Sequence, residues 1–205
     1  MKTLLVDDHA LLRDTLAAVM AQTWPALQVL QAGNLTEACA LCDAHPDLAL
    51  VLVDLGLPDA LGLASLTSLL RHAPHARHVV VSADDRLQTV LAAIDAGAVG
   101  FIPKTSEFRV MTEALARVLQ GGVYLPASAT TQAATPADTP ELSTRQLAVL
   151  GLLVKGQPNK GISRTLDLSA STVKTHLEAV FRRLGVNSRT QAVVAVARLG
   201  LRLPA

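Results

Sequence analysis

Leu48-Ala49-Leu50-Val51-Leu52-Val53-Asp54-Leu55-Gly56-Leu57-Pro58-Asp59 is the stretch that decides the fold. Its first six residues are apolar without the polar alternation of a strand that has one wet face. Both faces of such a strand must be covered, which is the condition of a parallel sheet with helices on either side. The run then ends on a carboxylate, Asp54. Outward from it, short apolar runs at 3–6, 28–32, 78–82 and 100–102 alternate with helix-periodic segments at 10–22, 35–44, 61–72, 85–96 and 106–120. Five βα units in a row predict an α/β domain over residues 1–122, with a five-stranded, parallel, doubly wound (flavodoxin-like) sheet.

Beyond it the texture changes. Residues 123–140, VYLPASATTQAATPADTP, hold three prolines and a single charge. Such a composition buries too little to pack alone, so a flexible linker is expected. Residues 141–205 have purely helical periodicity at 144–155, 159–166, 171–184 and 189–199, broken by short turns at 156–158, 167–169 and 185–187. These predict a small all-α, four-helix domain.

Bulk properties narrow the function. Half of the 205 residues are hydrophobic and only 2% aromatic, so Leu, Val, Ala and Ile must build the cores. The apolar run at 48–53 is far too short to cross a bilayer, and Asp7 and Asp8 interrupt the apolar start of the chain before it has the length of a secretory signal. No membrane association and a cytoplasmic location are therefore expected. Charge is polarised: residues 1–122 carry 8 Lys and Arg against 13 Asp and Glu, whereas residues 141–205 carry 10 against 3. The C-terminal part suits a polyanion. Cys39 and Cys42 form a C-x-x-C, but they fall inside a helix and no second ligand pair completes a zinc site, so they are read as half-buried helical residues.

In an open parallel sheet, functional groups collect at the carboxyl ends of the strands. Asp7 and Asp8 follow the first strand, Asp54 ends the third, Ser82 ends the fourth, and Lys104 lies just past the fifth. One Asp at a strand end is ordinarily a helix cap, and one Lys is ordinarily solvated. Three carboxylates, a hydroxyl and an ammonium converging on one edge are a site for a hard cation such as Mg²⁺ and for a phosphoryl group.

With these residues in view, the first domain resembles the receiver domains of two-component response regulators. The matching elements are Leu5-Val6-Asp7-Asp8-His9, the segment 52–59, Val81-Ser82-Ala83, and Gly100-Phe101-Ile102-Pro103-Lys104. The resemblance implies that Asp54 accepts a phosphoryl group from a sensor histidine kinase. Asp8, Asp54 and the backbone carbonyl of Gly56 would hold Mg²⁺, with Asp7 assisting. Lys104 would neutralise the acyl phosphate and Ser82 would bond to it, while Phe101 is either a switch aromatic or simple core packing.

Residues 141–203 resemble the LuxR-type helix-turn-helix of the NarL/FixJ subfamily, through Leu142-Ser143-Thr144-Arg145-Gln146, Gly156-Gln157-Pro158-Asn159-Lys160, Leu168-Ser169, Thr172-Val173-Lys174-Thr175-His176 and Leu184-Gly185-Val186. Val173, Leu177, Val180 and Leu184 fall on one helix face, which packs inward, and Lys174, Thr175, Glu178 and Arg182 on the other. The resemblance makes Lys174 and Thr175 the expected base contacts in double-stranded DNA, with Glu178 either accepting from a cytosine or facing solvent. Asn159, Lys160, Thr172, Arg182, Arg183 and Arg189 are expected at phosphates, and His176 at the helix junction or a phosphate. A transcriptional response regulator is thus expected, not an enzyme, forming a homodimer when phosphorylated and contacting RNA polymerase as a further partner. A phosphatase of the haloacid-dehalogenase type is the rival class. It needs a second carboxylate two residues past the nucleophile, where Gly56 stands. A receiver that only dimerises, without phosphorylation, is a third reading.

Overall fold

The computed structural model describes residues 1–130, 140–201 and 203, which divide into two compact units, Met1–Ser106 and Glu107–Ala205. In the first, the strands are β1 (Lys2–Val6), β2 (Gln28–Ala32), β3 (Leu48–Val53), β4 (Gly56–Leu57), β5 (Ala60–Leu61), β6 (Arg77–Ser82) and β7 (Gly100–Pro103). Helices α1 (Ala10–Thr23), α2 (Leu35–Ala44), α3 (Leu63–His72) and α4 (Leu87–Ala96) lie between them. Five strands pair in parallel in the order β2-β1-β3-β6-β7, the flavodoxin-like order. In β3, Leu50, Val51, Leu52 and Val53 are at most 2% exposed, which is why its sequence carries no polar alternation.

Two elements depart from the expectation. β4 and β5 form a small antiparallel pair directly after Asp54, and the following helix begins at Leu63 instead of residue 61. The turn of this pair carries Asp59, whose carboxylate accepts from the backbone N–H groups of Leu35 and Thr36 at 2.8 and 2.9 Å. With Asn34, which accepts from Glu37 N–H at 2.8 Å, it satisfies the orphan donors that open α2. Those bonds hold the Asp59 carboxyl below its ordinary range. Cys39 and Cys42 do lie in α2, and burial, Cys39 and Asp43 together raise the Cys42 thiol to about 11, where it is unreactive.

His78 in β6 is 1% exposed, with Nδ1 at 3.1 Å from the Ala76 carbonyl oxygen. Burial lowers its pKa below the ordinary 6.5, so the native ring stays neutral while the unfolded chain takes up a proton. Stability is therefore present above pH 6.5 and declines as pH falls from there toward the native value, by at most about 1.4 kcal/mol per pH unit for one proton. Urea midpoints between pH 7.5 and 5 should fall less steeply in His78→Phe than in the parent chain. Parallel profiles would contradict this.

The second unit holds α5 (Phe108–Leu119), α6 (Ala127–Thr130), α7 (Thr144–Val154), α8 (Asn159–Leu166), α9 (Ala170–Leu184) and α10 (Arg189–Arg198). The division thus falls before α5, whereas the sequence places the boundary at residue 122, where helical periodicity gives way to Gly121-Gly122. The first part of the expected linker, 123–130, is among the described residues. Ala127–Thr130 is a helical turn, Val123 and Ala129 are buried, and Leu125 packs on the core of α7 to α10, because scattered apolar residues find a surface supplied from elsewhere in the chain. Residues 131–139 of that stretch lie outside the described ones. Val149, Leu150 and Leu153 of α7, Ile162 of α8, Val173, Leu177 and Val180 of α9, and Ala192, Val193 and Val196 of α10 form one core.

Caps fix the helix boundaries. Ser143 and Gln146 bond reciprocally at the start of α7, and Ser169 accepts from Thr172 N–H at 3.0 Å at the start of α9. Between α8 and α9, Asp167 turns the chain with φ 51, a left-handed conformation that Asp tolerates better than most residues. Gly161 sits third in α8, where an added Cβ would meet Gln157 Oε1, the free end of a flexible side chain, and Pro158 Cδ at 3.4 Å. Gly161→Ala should raise stability by about 0.5 to 1 kcal/mol through helix propensity. A thermal melt that shifts downward would show that Gln157 cannot move aside.

Candidate functional site

The backbone ladder continues past the strand ends and so places the site. Asp7 N–H donates to Ala32 O at 3.1 Å, Asp54 N–H to Val6 O at 2.9 Å, and Lys104 N–H to Ser82 O at 2.8 Å. Asp7, Asp54 and Lys104 are thereby registered against the neighbouring strands. Lys104 Nζ lies 2.8 Å from Asp7 Oδ2 and 2.7 Å from Asp54 Oδ2. The side chains of Asp7 and Asp54 are 3% and 4% exposed, and that of Lys104 12%. Burial disfavours the ammonium, but the hydrogen bonds to Asp54 and Asp7 outweigh it and raise its pKa above the ordinary 10.5.

Asp8 is exposed, and its Oδ1 lies 2.7 Å from Nδ1 of His9. His9 also approaches Asp7 Oδ1, at 3.2 Å from Nδ1 and 2.9 Å from its backbone N–H. Donor atoms of Asp7, Asp8, His9 and Asp54 all lie within 4.8 Å of one another. Three carboxylates against one ammonium leave an excess of two negative charges, two of the carboxylates being buried. That donor set fits a divalent cation. The convergence expected of Asp7, Asp8, Asp54 and Lys104 is thus present, and His9, quoted beside the acidic pair but given no role, joins it.

A cavity of about 370 Å³ opens over Asp54, lined among others by His9, Gly56, Ser82, Asp84, Thr89 and Lys104. An added Cβ at Gly56 would stand 3.3 Å from Asp54 Oδ2, so the glycine keeps this approach clear. Ser65 Oγ donates to the backbone oxygens of Gly62 at 2.9 Å and Asp54 at 3.3 Å, bracing the loop from below. Ser82 Oγ accepts from Asp84 N–H at 3.1 Å and is 3% exposed. The Asp84 carboxylate in turn accepts two bonds from Arg86, each 2.7 Å, and one from Thr89 at 2.9 Å, and these hold its pKa far below the carboxylate range. This pairing occupies residues 84–86, and α4 begins only at Leu87. Phe101 is fully buried in β7, opposite Val80 in register.

In the second unit, α9 separates its two faces as expected, with Val173, Leu177 and Val180 buried and Lys174, Thr175, Glu178 and Arg182 exposed. Lys174 Nζ lies 3.8 Å from Glu178 Oε1 one turn on, a weak exposed pair, so Glu178 faces Lys174 at the surface. Asn159 and Lys160 are exposed at the start of α8, and His176 is half-buried. Several expected phosphate contacts have tasks inside the fold. The Thr172 hydroxyl bonds Ser169 Oγ at 2.7 Å, and Arg183 donates to the Glu141 carbonyl oxygen. Arg189 donates to Asn159 Oδ1 at 3.1 Å, to Leu153 O at 3.4 Å, and to Gln157 O.

Known proteins share both halves of this layout. Residues 3–116 match the family described as response regulator receiver domain, and residues 140–196 match the bacterial regulatory proteins of the luxR family. The glycerol metabolism activator of Pseudomonas putida is 39% identical over 207 residues, covering 95% of this chain and 94% of that one. The nitrate/nitrite response regulator protein NarL of Escherichia coli K12 is 31% identical over 203 residues, covering 94% and 93%. Among solved structures, a LuxR family DNA-binding response regulator from Silicibacter pomeroyi aligns with a TM-score of 0.55 at 29% identity, covering 62% of this chain and 98% of that one. RcsB, solved as two dimers bound to DNA, aligns with a TM-score of 0.54 at 19% identity over 97% and 98%, a likeness of fold alone.

Proposed function

The chain belongs to the response regulators that join a receiver domain to a LuxR-type DNA-binding domain, and from that premise we propose that Asp54 is the phosphoacceptor that controls DNA binding. The observation that carries this reading is the Lys104 ammonium bridging two buried carboxylates at 2.8 and 2.7 Å, at the floor of a cavity. A carboxylate oxygen of Asp54 attacks the phosphorus of a phosphohistidine on a sensor kinase. The new P–O bond forms as the P–N bond breaks, and the imidazole leaves. Asp7, Asp8, Asp54 and the Gly56 carbonyl would hold Mg²⁺, which when bound supplies charge neutralisation to the transferring group. Lys104 would neutralise the acyl phosphate, and positioning plus charge suffices for this chemistry.

Ser82 is poised to report the event. Its oxygen accepts from Asp84 N–H, which leaves the O–H to donate to the phosphoryl group, and a shift of Ser82 toward that group would open space for Phe101. Domain limits of 1–122, 123–140 and 141–205 suit this reading, since the receiver match itself runs into α5. Phosphorylation then favours a homodimer whose two α9 helices meet paired half-sites, with Lys174 and Thr175 at base edges and Asn159, Lys160 and Arg182 at phosphates. RNA polymerase is the natural further partner of a transcription factor so placed. Among the described residues no helix is long and apolar enough to cross a membrane, and a cytoplasmic location fits a DNA-binding role.

Incubation with acetyl phosphate and Mg²⁺ should add the mass of one phosphoryl group to the chain, and Asp54→Asn should abolish it. Equal mass gain in the variant would remove Asp54 from the role. If Asp54→Asn left DNA affinity and dimerisation unaltered under phosphorylating conditions, the coupling between the halves would be wrong.

A further inference from the structure

We propose that His9 supplies an imidazole nitrogen to the cation held by Asp7, Asp8 and Asp54, biasing the site toward borderline divalent ions such as Co²⁺ relative to Mg²⁺. The inference deepens the cation-site reading above and rests on it.

Position carries the argument. Nδ1 of His9 lies 2.7 Å from Asp8 Oδ1 and 3.2 Å from Asp7 Oδ1. Both separations are short enough for one cation to touch the nitrogen and both carboxylate oxygens, once the ring carries its proton on Nε2 and Nδ1 presents its lone pair. The nitrogen shares the compass of 4.8 Å with the three carboxylates. The His9 side chain is 66% exposed and lines the cavity, so the ring is open to an entering ion. Its backbone N–H bonds Asp7 Oδ1 at 2.9 Å, which ties the residue to the ligand it would join.

Chemistry gives the consequence. Carboxylate and carbonyl oxygens suit Mg²⁺, whereas imidazole suits later first-row ions and adds little for Mg²⁺. A site with one nitrogen among its oxygens should therefore hold Co²⁺ more tightly than an all-oxygen site, with Mg²⁺ almost unaffected.

The experiment titrates the untagged full chain with CoCl₂ and with MgCl₂ by calorimetry, following Co²⁺ in parallel by its visible absorption. Wild type, His9→Phe, His9→Gln and Asp8→Asn are compared. Both His9 variants should weaken Co²⁺ binding by about tenfold or more and move Mg²⁺ by less than about twofold. Retained Mg²⁺ binding shows that the corner is intact in each variant. A Co²⁺ to Mg²⁺ affinity ratio equal to wild type in both variants would overturn the role of His9. Failure of wild type to bind either ion, or unchanged binding in Asp8→Asn, would instead overturn the cation site on which it rests.

Discussion

Lys104→Met should destabilise the receiver by about 3 kcal/mol at neutral pH in metal-free buffer, and added Mg²⁺ should restore part of the loss. The reason is the charge left behind. Asp7 and Asp54 are 2% and 3% exposed, and their shared countercharge is the ammonium 2.8 and 2.7 Å away. Methionine fills the volume of the lysine stem but leaves two like charges facing each other in a poorly solvated corner. A divalent cation supplies the missing countercharge, so the deficit should shrink as Mg²⁺ is added. For a domain of this size the loss corresponds to a fall in Tm of roughly 10 to 20 °C. Thermal unfolding with EDTA and then with Mg²⁺ checks it. An Asp7→Asn, Lys104→Met double variant should recover much of the stability, since it removes one of the opposed charges. A melt of Lys104→Met that matches wild type in EDTA would mean the bridge contributes nothing.

The corner was legible in the sequence because parallel topology alone brings strand ends together. Asp7, Asp54, Ser82 and Lys104 each follow a short apolar run, and the ladder that continues past those runs sets their positions. What escaped the sequence depends on contacts without a local pattern. β4 and β5 are two residues each, too short for any periodicity to register. Asp59 reads as an ordinary turn residue, yet it caps a helix that begins more than twenty residues earlier in the chain. Ala127–Thr130 sits in a Pro-, Ala- and Thr-rich stretch whose composition argues against order, and its packing comes from elsewhere. His9 shares a motif with the acidic pair, but an exposed ring can turn either way and no local pattern sets which.

Arginines are the residues for which sequence reading is weakest, because a guanidinium reaches six or more ångströms from its own backbone in any direction, and Arg189 gives the second large expected effect. Arg189→Ala should lower both the thermal stability of the C-terminal domain and its affinity for DNA, whereas Lys174→Ala should lower DNA affinity alone. Arg189 reaches back from the start of α10 to the end of α7 and the opening of α8, where it donates to Leu153 O, Gln157 O and Asn159 Oδ1. Hydrogen bonds from a charged donor contribute about 1.5 to 3 kcal/mol net, and truncation also strands their acceptors, so a loss of about 2 to 3 kcal/mol is expected. Because Asn159 and Lys160 stand on the turn that Arg189 braces, DNA affinity falls as a consequence of lost order, by an amount that stabilising solutes should partly restore. Lys174 is exposed and pairs only weakly with Glu178 at 3.8 Å, so its removal leaves the fold unchanged and costs about 1 to 3 kcal/mol of binding. The two variants thus separate bracing from reading within one small domain. Were Arg189→Ala to weaken binding with an unaltered melt, and to reduce the salt dependence of binding by about one released counterion, the arginine would be a phosphate contact after all.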